Sequence, residues 1–307
     1  MQLVEKDHVG KVALAGGDVL MDAGFWERAW QAERSRTLFS LERPERSGVA
    51  YWDHRADHFA RRTASEEGKK RAAHIIHWLG HQEGLRPAHE LEILDIGCGT
   101  GNYSLLLARR AKQVVALDPS VRMLHFLKER MAAEQVSNIE PVALAWEEVD
   151  LDELGWRKRF DVVLAPLTPA IHDVPTLRKM LEACRHAIYY ASFSERRDPI
   201  HQELWRRVVG KEMPAYSRDA LYVFHLLYAW GYHPTIEFQE WNVNREESIE
   251  EVQNELRDFL WPFMEIDARV DQEIRKLVQE LARNGQVSWL RRQTFAQVSC
   301  NVEFRRT

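Results

Sequence analysis

The stretch Leu91-Glu-Ile-Leu-Asp-Ile-Gly-Cys-Gly-Thr-Gly-Asn102 runs from an apolar segment into three glycines at alternate positions, Gly97, Gly99 and Gly101. Glycines here let the backbone turn sharply and come close to a ligand, and a helix that starts after them offers unpaired N–H groups. This combination points to a nucleotide-like ligand at the end of a first strand. A dinucleotide fingerprint would need a glycine where Asn102 stands, and the carboxylate of Asp95 would repel a pyrophosphate. A ligand with positive charge near Asp95 suits the pattern instead. About 17 residues beyond Gly101 a second acid, Asp118, closes the next apolar run, where a carboxylate accepts hydrogen bonds from two ribose hydroxyls. A phosphate-binding P-loop is excluded, because no Gly-Lys-Ser/Thr follows.

The elements that must position these residues read as strands alternating with helices. Strands are expected over 91–95, 113–118, 139–144, 160–165 and 186–193, and helices over 103–111 and 123–134. Such alternation implies right-handed crossovers and a parallel sheet covered on both faces. Before the first strand, helices are expected over 25–37, 50–62 and 66–81. After the last of the five come an apolar helix over 219–232, a strand over 235–242, a helix opened by the Ser248-Ile-Glu-Glu251 capping box, a helix over 268–282, and a strand over 294–304. The apolar helix reads as buried against the sheet, as a pocket wall or as a dimer contact.

Asp-Ile-Gly-Cys-Gly-Thr-Gly followed by Ala-Leu-Asp-Pro-Ser resembles the class I S-adenosylmethionine-dependent methyltransferases, and the match runs from Leu91 to Phe193. The resemblance implies an α/β, Rossmann-like fold: a seven-stranded, mostly parallel sheet with helices on both faces, an N-terminal helical lid and a helical insertion before the last strand. It implies an extension over 1–48 and a methyltransferase domain over 49–307, with a cofactor core at 88–195 and helical additions at 49–85 and 243–290. The cofactor implied is S-adenosylmethionine, giving S-adenosylhomocysteine as product. Asp95, Gly97, Cys98, Gly99 and Gly101 would surround its methionine portion, Asp118 and Pro119 the ribose, and Met123 the adenine face. The acid usual near the adenine amino group is replaced by Ala145, which shifts that task to Trp146 and Glu147. Ala165 opens the loop that faces the transferable methyl in this class.

The acceptor side is less specific. Methyl transfer is an in-line displacement in which alignment supplies much of the catalysis, so few residues are obligatory. His172 and Asp173 are the candidate general bases, with Asp173 also read as a helix cap; Tyr51, Trp52 and Thr168 are candidate acceptor contacts. His54, His58, His74, His77 and His81 fall on helical faces, but no metal is expected, since Arg55 breaks a His-Glu-x-x-His pattern and no cysteine is near.

The 307-residue chain is 45% hydrophobic, ample for a full core, and its net charge of −5 comes with basic residues in scattered pairs rather than a stripe. That favours a small-molecule acceptor over nucleic acid. No segment reads as a membrane span or signal peptide and the three cysteines fit no disulfide framework, which together suggest a cytoplasmic protein, with a homodimer possible. Two alternatives stand beside the small-molecule reading: methylation of RNA or protein, and non-catalytic binding of S-adenosylmethionine.

Overall fold

The computed structural model describes residues 19–63, 66–82 and 84–304. Three helices come first, α1 (Ala23–Arg34), α2 (Gly48–Thr63) and α3 (Glu66–Gly80). The alternating core follows: β1 (Glu92–Ile96), α4 (Ser104–Ala108), β2 (Gln113–Leu117), α5 (Val121–Ala133), β3 (Ile139–Val142), β4 (Phe160–Pro166), α6 (Val174–Ala183) and β5 (Cys184–Arg197). The chain continues through α7 (Pro199–Val209), α8 (Asp219–Ala229), β6 (Thr235–Glu240), β7 (Val243–Ser248), α9 (Ile249–Leu260), α10 (Ala268–Leu281) and β8 (Gln286–Asn301).

The sheet order is β3-β2-β1-β4-β5-β8-β6. β1 to β5 run parallel, and β8 lies antiparallel between β5 and β6. This is a Rossmann-like α/β fold. Being covered on both faces, β4 is buried at every position and β1 at all but its first, which accounts for their continuous apolar runs. Alternation sends Leu94 and Ile96 into one core and Ile93 into the other. β1, β2 and β4 end almost level, with Asp95 opposite both Ala116 and Leu164, so the loops that leave them meet on one side.

The sheet path holds the seven strands expected; an eighth, β7, lies off it and pairs with β8, which begins at Gln286 rather than near Thr294. Its first half, Gln286 to Arg291, pairs with β7, so the expected helical addition at 243–290 is part sheet. The strand was hidden because its inward position 291 is an arginine, which breaks the apolar alternation. β7 and this half of β8 join α7, α9 and α10 around a separate apolar cluster that includes Leu204, Leu256, Ile274 and Val287.

α8 is apolar on every side because it is covered on every side. Val223, Leu226 and Leu227 belong to the core of one sheet face, while α1 packs across its back, stacking Trp26 on His225 at 3.8 Å. Trp30 of α1 is buried, and its indole N–H donates to Asp219 at 2.6 Å. Among the described residues no helix is long and apolar enough to cross a membrane.

Candidate active site

The glycine loop leaves β1 and folds back at once, with Gly97 and Cys98 N–H both donating to the Leu117 carbonyl, at 2.7 and 3.0 Å. Gly97 has φ +68°, and a side chain there would lie 2.0 Å from Thr168 Oγ1. Gly101, at φ +79°, would meet Leu127 Cδ1 of α5 at 2.3 Å. Both positions therefore exclude a Cβ on conformation and on space.

Asp95 is fully buried at the end of β1. Its Oδ2 accepts from Ser104 Oγ at 2.6 Å, and its Oδ1 has no hydrogen-bond partner among the described residues. Burial raises this carboxyl to about 7; the Ser104 hydrogen bond opposes the shift and the nearby Asp118 charge adds to it. Asp118 lies beyond β2 with Oδ2 accepting from Gly99 N at 2.8 Å and Oδ1 from Ser120 N at 2.9 Å. Burial raises it too, against the lowering effect of those two N–H groups. Each Asp118 oxygen keeps a further lone pair, so the carboxylate can fix the loop and still accept from two adjacent hydroxyls. Asp95 Oδ1 is the kind of buried acceptor that calls for a cationic or N–H donor.

The remaining expected residues fall into different surroundings. Pro119 is half-buried beside Asp118, and Met123 is buried in the first turn of α5, its N–H donating to Ser120 Oγ at 3.0 Å. Cys98 is buried and its thiol is pushed up by desolvation. The Trp146 indole is directed into the core, where its N–H donates to the Thr176 carbonyl at 3.0 Å. Lys179 binds the carbonyls of Trp146, Glu147 and Val149. The Trp146 ring therefore serves packing, which leaves the backbone of this loop and the Glu147 side chain as groups for a ligand.

Ala165 is enclosed in β4, paired with Tyr190. Two residues on, Leu167 takes a left-handed φ of +57°, costly for a branched side chain and a mark of a loop held for a purpose. Thr168 Oγ1 accepts from Ala170 N at 3.2 Å while facing Gly97. Asp173 is the N-cap of α6 in a reciprocal box with Thr176, its Oδ1 accepting from Thr176 N at 2.9 Å. His172 Nδ1 lies 3.2 Å from the Pro169 carbonyl and 3.4 Å from Glu147 Oε1. Of the two candidate bases, Asp173 is thus occupied with helix capping, and His172 is the one with an acid beside it.

α2 stands over this side of the sheet. Phe59 Cε1 lies 3.3 Å from where a Gly99 side chain would begin, and the Thr63 and Thr100 hydroxyls are 2.8 Å apart. Ser120 Oγ donates to Asp53 Oδ1 at 2.5 Å, and Arg122 pairs with Asp57. Tyr51 and Trp52 pack edge to face at 5.1 Å, with Trp52 in turn against Phe59.

Sequence reasoning missed a buried ionic cluster beyond β5. Asp198, His201, Glu255 and Arg291 are each 5% exposed or less. Arg291 Nε and Nη2 reach Asp198 Oδ2 and Glu255 Oε1, both at 2.5 Å. His201 lies flat on Phe259, centroids 4.0 Å apart, with Nδ1 3.6 Å from Asp198 and Nε2 3.7 Å from Glu255. Against the cost of burial, His201 and then Arg291 hold Asp198 below its ordinary range, Arg291 and then His201 do the same for Glu255, and desolvation brings His201 itself down to about 4. The ligand atoms of Asp198, His201 and Glu255 lie within 4.8 Å of one another, as a metal site would need. Arg291 already supplies the cation, and the two imidazole nitrogens face different carboxylates, so the donor set does not fit a metal ion. The signal available was weak: Asp198 ends a run of charges from Glu195, Arg291 is paired with Arg292, and nothing in the sequence links either to Glu255. The histidines read as helical faces are engaged elsewhere, His54 stacking on Trp261 at 4.3 Å and His74 Nε2 lying 2.7 Å from Gln239.

A glycine loop between two strand-end carboxylates, at the carboxyl edge of a parallel sheet, defines a Rossmann-like nucleotide-binding domain. Residues 93–188 match the methyltransferase domain family, and the chain carries a class I S-adenosylmethionine-dependent methyltransferase domain. Among curated proteins it is similar to a malonyl-[acyl-carrier protein] O-methyltransferase from Pectobacterium atrosepticum, 41% identical over 70 residues, covering 22% of this chain and 28% of that protein. It is also similar to the 23S rRNA (uracil(1939)-C(5))-methyltransferase RlmD of Vibrio parahaemolyticus, 33% identical over 103 residues, covering 33% and 21%. The chain thus spans less than a third of the length of these two relatives. The magnesium protoporphyrin IX methyltransferase of Synechocystis PCC 6803, solved with bound S-adenosylhomocysteine, shares the fold: TM-score 0.51, 11% identity, 82% of this chain and 96% of that one.

Proposed function

We propose that the protein transfers the methyl group of S-adenosylmethionine to a small-molecule acceptor. The observation that carries the reading is the pair Asp95 and Asp118 on either side of the glycine loop, one with an unpartnered buried oxygen and the other with lone pairs to spare. Asp95 would hold the ammonium of the methionine portion and Asp118 the ribose hydroxyls, while the glycines let the backbone come against the ligand. The bound sulfonium supplies an activated methyl group. The protein supplies alignment and exclusion of water: Thr168 and the strained Leu167 shape the floor beyond β4, and α2 with its Phe59 covers the loop. His172 is placed to take a proton where the acceptor carries one of high pKa.

The small-molecule acceptor is supported by the acidic net charge and by the aromatic face of α2 against the site. One curated relative is a malonyl-[acyl-carrier protein] O-methyltransferase and the other a ribosomal RNA methyltransferase, so they do not choose the acceptor. Calorimetry with S-adenosylhomocysteine and with NAD tests the cofactor reading, which fails if NAD alone binds. Incubation with S-adenosylmethionine and a pool of small metabolites, read as S-adenosylhomocysteine formed, tests the acceptor. Turnover on RNA and none on the metabolite pool would replace the small-molecule reading.

A further inference from the structure

β5 runs six residues past Ala191, the partner of the last β4 residue, and Arg196, five residues on, lies roughly 16 Å above the end of β4. In that extension the pairing with β8 slips between Phe193 and Glu195, so Ser194 is an extra residue. A bulge of this kind re-aims the side chains that follow it. Here it brings the Arg196 guanidinium over the rings of Phe193 and Tyr216, at 5.3 and 4.9 Å. Arg196 has no hydrogen bond and no carboxylate within ion-pair distance among the described residues, and its Nε is shut off from solvent. Asp198 and His201 sense its charge, but the bound oxygen of Asp198 belongs to Arg291.

The surroundings share this imbalance. Around the ionic cluster four buried donors lack an acceptor, Arg196 Nε, Arg245 Nε, Arg291 Nη1 and Trp289 Nε1, against two buried acceptors without a donor, Asp198 Oδ1 and Glu255 Oε2, and His201 Nδ1, also unpartnered, is a donor or an acceptor according to its tautomer. A buried N–H left unpaired costs free energy, so the excess of donors favours a ligand that brings acceptor oxygens. α2 reaches the same place. Phe59 sits at the glycine loop, and Tyr51 lies eight residues earlier, roughly 12 Å along the helix. There Tyr51 accepts a hydrogen bond from Arg55 at 2.9 Å, and His54 Nε2 lies 3.1 Å from Asp258 of α9, the helix that carries Glu255. α2 thus runs from the glycine loop to the helix that carries Glu255 of the ionic cluster.

We propose that Arg196, backed by Phe193 and Tyr216, recognises a carboxylate on the methyl acceptor, beyond the end of β4 and away from the glycine loop. The guanidinium fork matches a carboxylate in two parallel hydrogen bonds, and the stacked rings hold it planar and orient it. Arg196 is a binding and specificity residue, remote from the reacting atoms. The inference rests on the methyltransferase reading, and the test separates the two.

The protein saturated with S-adenosylhomocysteine is titrated by calorimetry with a panel of aryl and alkyl monocarboxylates, each beside its neutral primary amide. At least one carboxylate is expected to bind tenfold or more tighter than its amide. In Arg196→Gln that preference is expected to disappear while S-adenosylhomocysteine binds as before, and Arg196→Lys should keep part of it. Equal binding of acids and amides, no binding by any panel member, or a preference that survives Arg196→Gln overturns the proposal. If S-adenosylhomocysteine itself does not bind, the methyltransferase reading falls instead.

Discussion

At the glycine loop the two acids and the glycines lie in one short run, Asp95 to Asp118, and backbone N–H groups whose direction the strand ends fix make most of its hydrogen bonds. Around Arg196 and Arg291 the groups come from β5, α7, β7, α9 and β8, and every contact is between side chains. The first region works by local geometry, so a short run of residue types specifies it. The second works by burying charges that must cancel one another, and it exists only once distant elements have packed.

The sharpest way to break the comparison is to remove the cation that holds the second region together. Arg291→Met leaves Asp198 and Glu255 buried with no counter-charge close by. Loss of one partner from a buried ion pair costs about 3–5 kcal/mol, so denaturant unfolding should show a loss of that size. A variant that also carries Asp198→Asn and Glu255→Gln should recover much of it, because the charges left stranded are gone. If Arg291→Met unfolds like the parent protein, the ionic ring is not what holds α7 and α9 to β8.

In the first region the largest expected effect is on the ligand. Asp118→Ala should weaken S-adenosylhomocysteine binding by about 1.5–3 kcal/mol, the range for hydrogen bonds to a charged group. Part of that loss will come through Gly99, whose N–H loses its acceptor. Calorimetry that finds the affinity unchanged in a folded variant removes Asp118 from the site.

These expectations also mark what the sequence discloses. The strands β1 to β5, the glycine loop and both strand-end acids are legible because periodicity and glycine spacing are local signals. β7 and the start of β8 were not, since Arg291 occupies an inward position that reads as polar surface until Asp198 and Glu255 are seen to meet it. Arg196 was not, because its direction depends on a bulge, and a bulge leaves no mark in a sequence of alternating Phe, Ser and Glu. Trp146 shows the opposite case: its place in the chain suggested an adenine contact, while its indole went to α6.

A finer test lies in the charge of Asp95. The folded protein keeps this proton up to about pH 7, well above the unfolded chain. More protons are therefore bound in the folded state across that interval, so ligand-free stability falls as pH rises from the ordinary carboxylate range to about 7, then levels off. A ligand ammonium favours the ionised form and reverses the balance. Affinity for S-adenosylhomocysteine should rise by about tenfold between pH 6 and pH 8, with proton release near pH 7 seen as a buffer-dependent enthalpy. Asp95→Asn should flatten the pH dependence. A flat profile in the parent protein would show that the carboxyl is already ionised without ligand.

The smallest effect expected is at α2, where the two regions meet. The helix is tied to the glycine loop and α5 by the Asp53–Ser120 and Thr63–Thr100 hydrogen bonds and the Arg122–Asp57 pair, which lies half in solvent. Exposed pairs of this kind contribute about 0–1 kcal/mol each, too little to hold a helix shut. The face that α2 turns to the site, Tyr51, Trp52 and Phe59, is only half-buried, so its apolar surface is not yet fully used. A ligand seated between Asp95 and Asp118 would come against Phe59 and let that face bury more, which shifts α2 toward the closed position without any new fold. Hydrogen exchange across residues 50–62 should therefore slow when S-adenosylhomocysteine binds, by a factor of about three to five, corresponding to somewhat under 1 kcal/mol of added protection. Asp53→Ala should speed exchange in the ligand-free protein over the same residues and leave those of β1 and β2 unchanged. Protection gained only around Gly97 and Asp118, with residues 50–62 exchanging as before, would make α2 a fixed wall of the site rather than a lid.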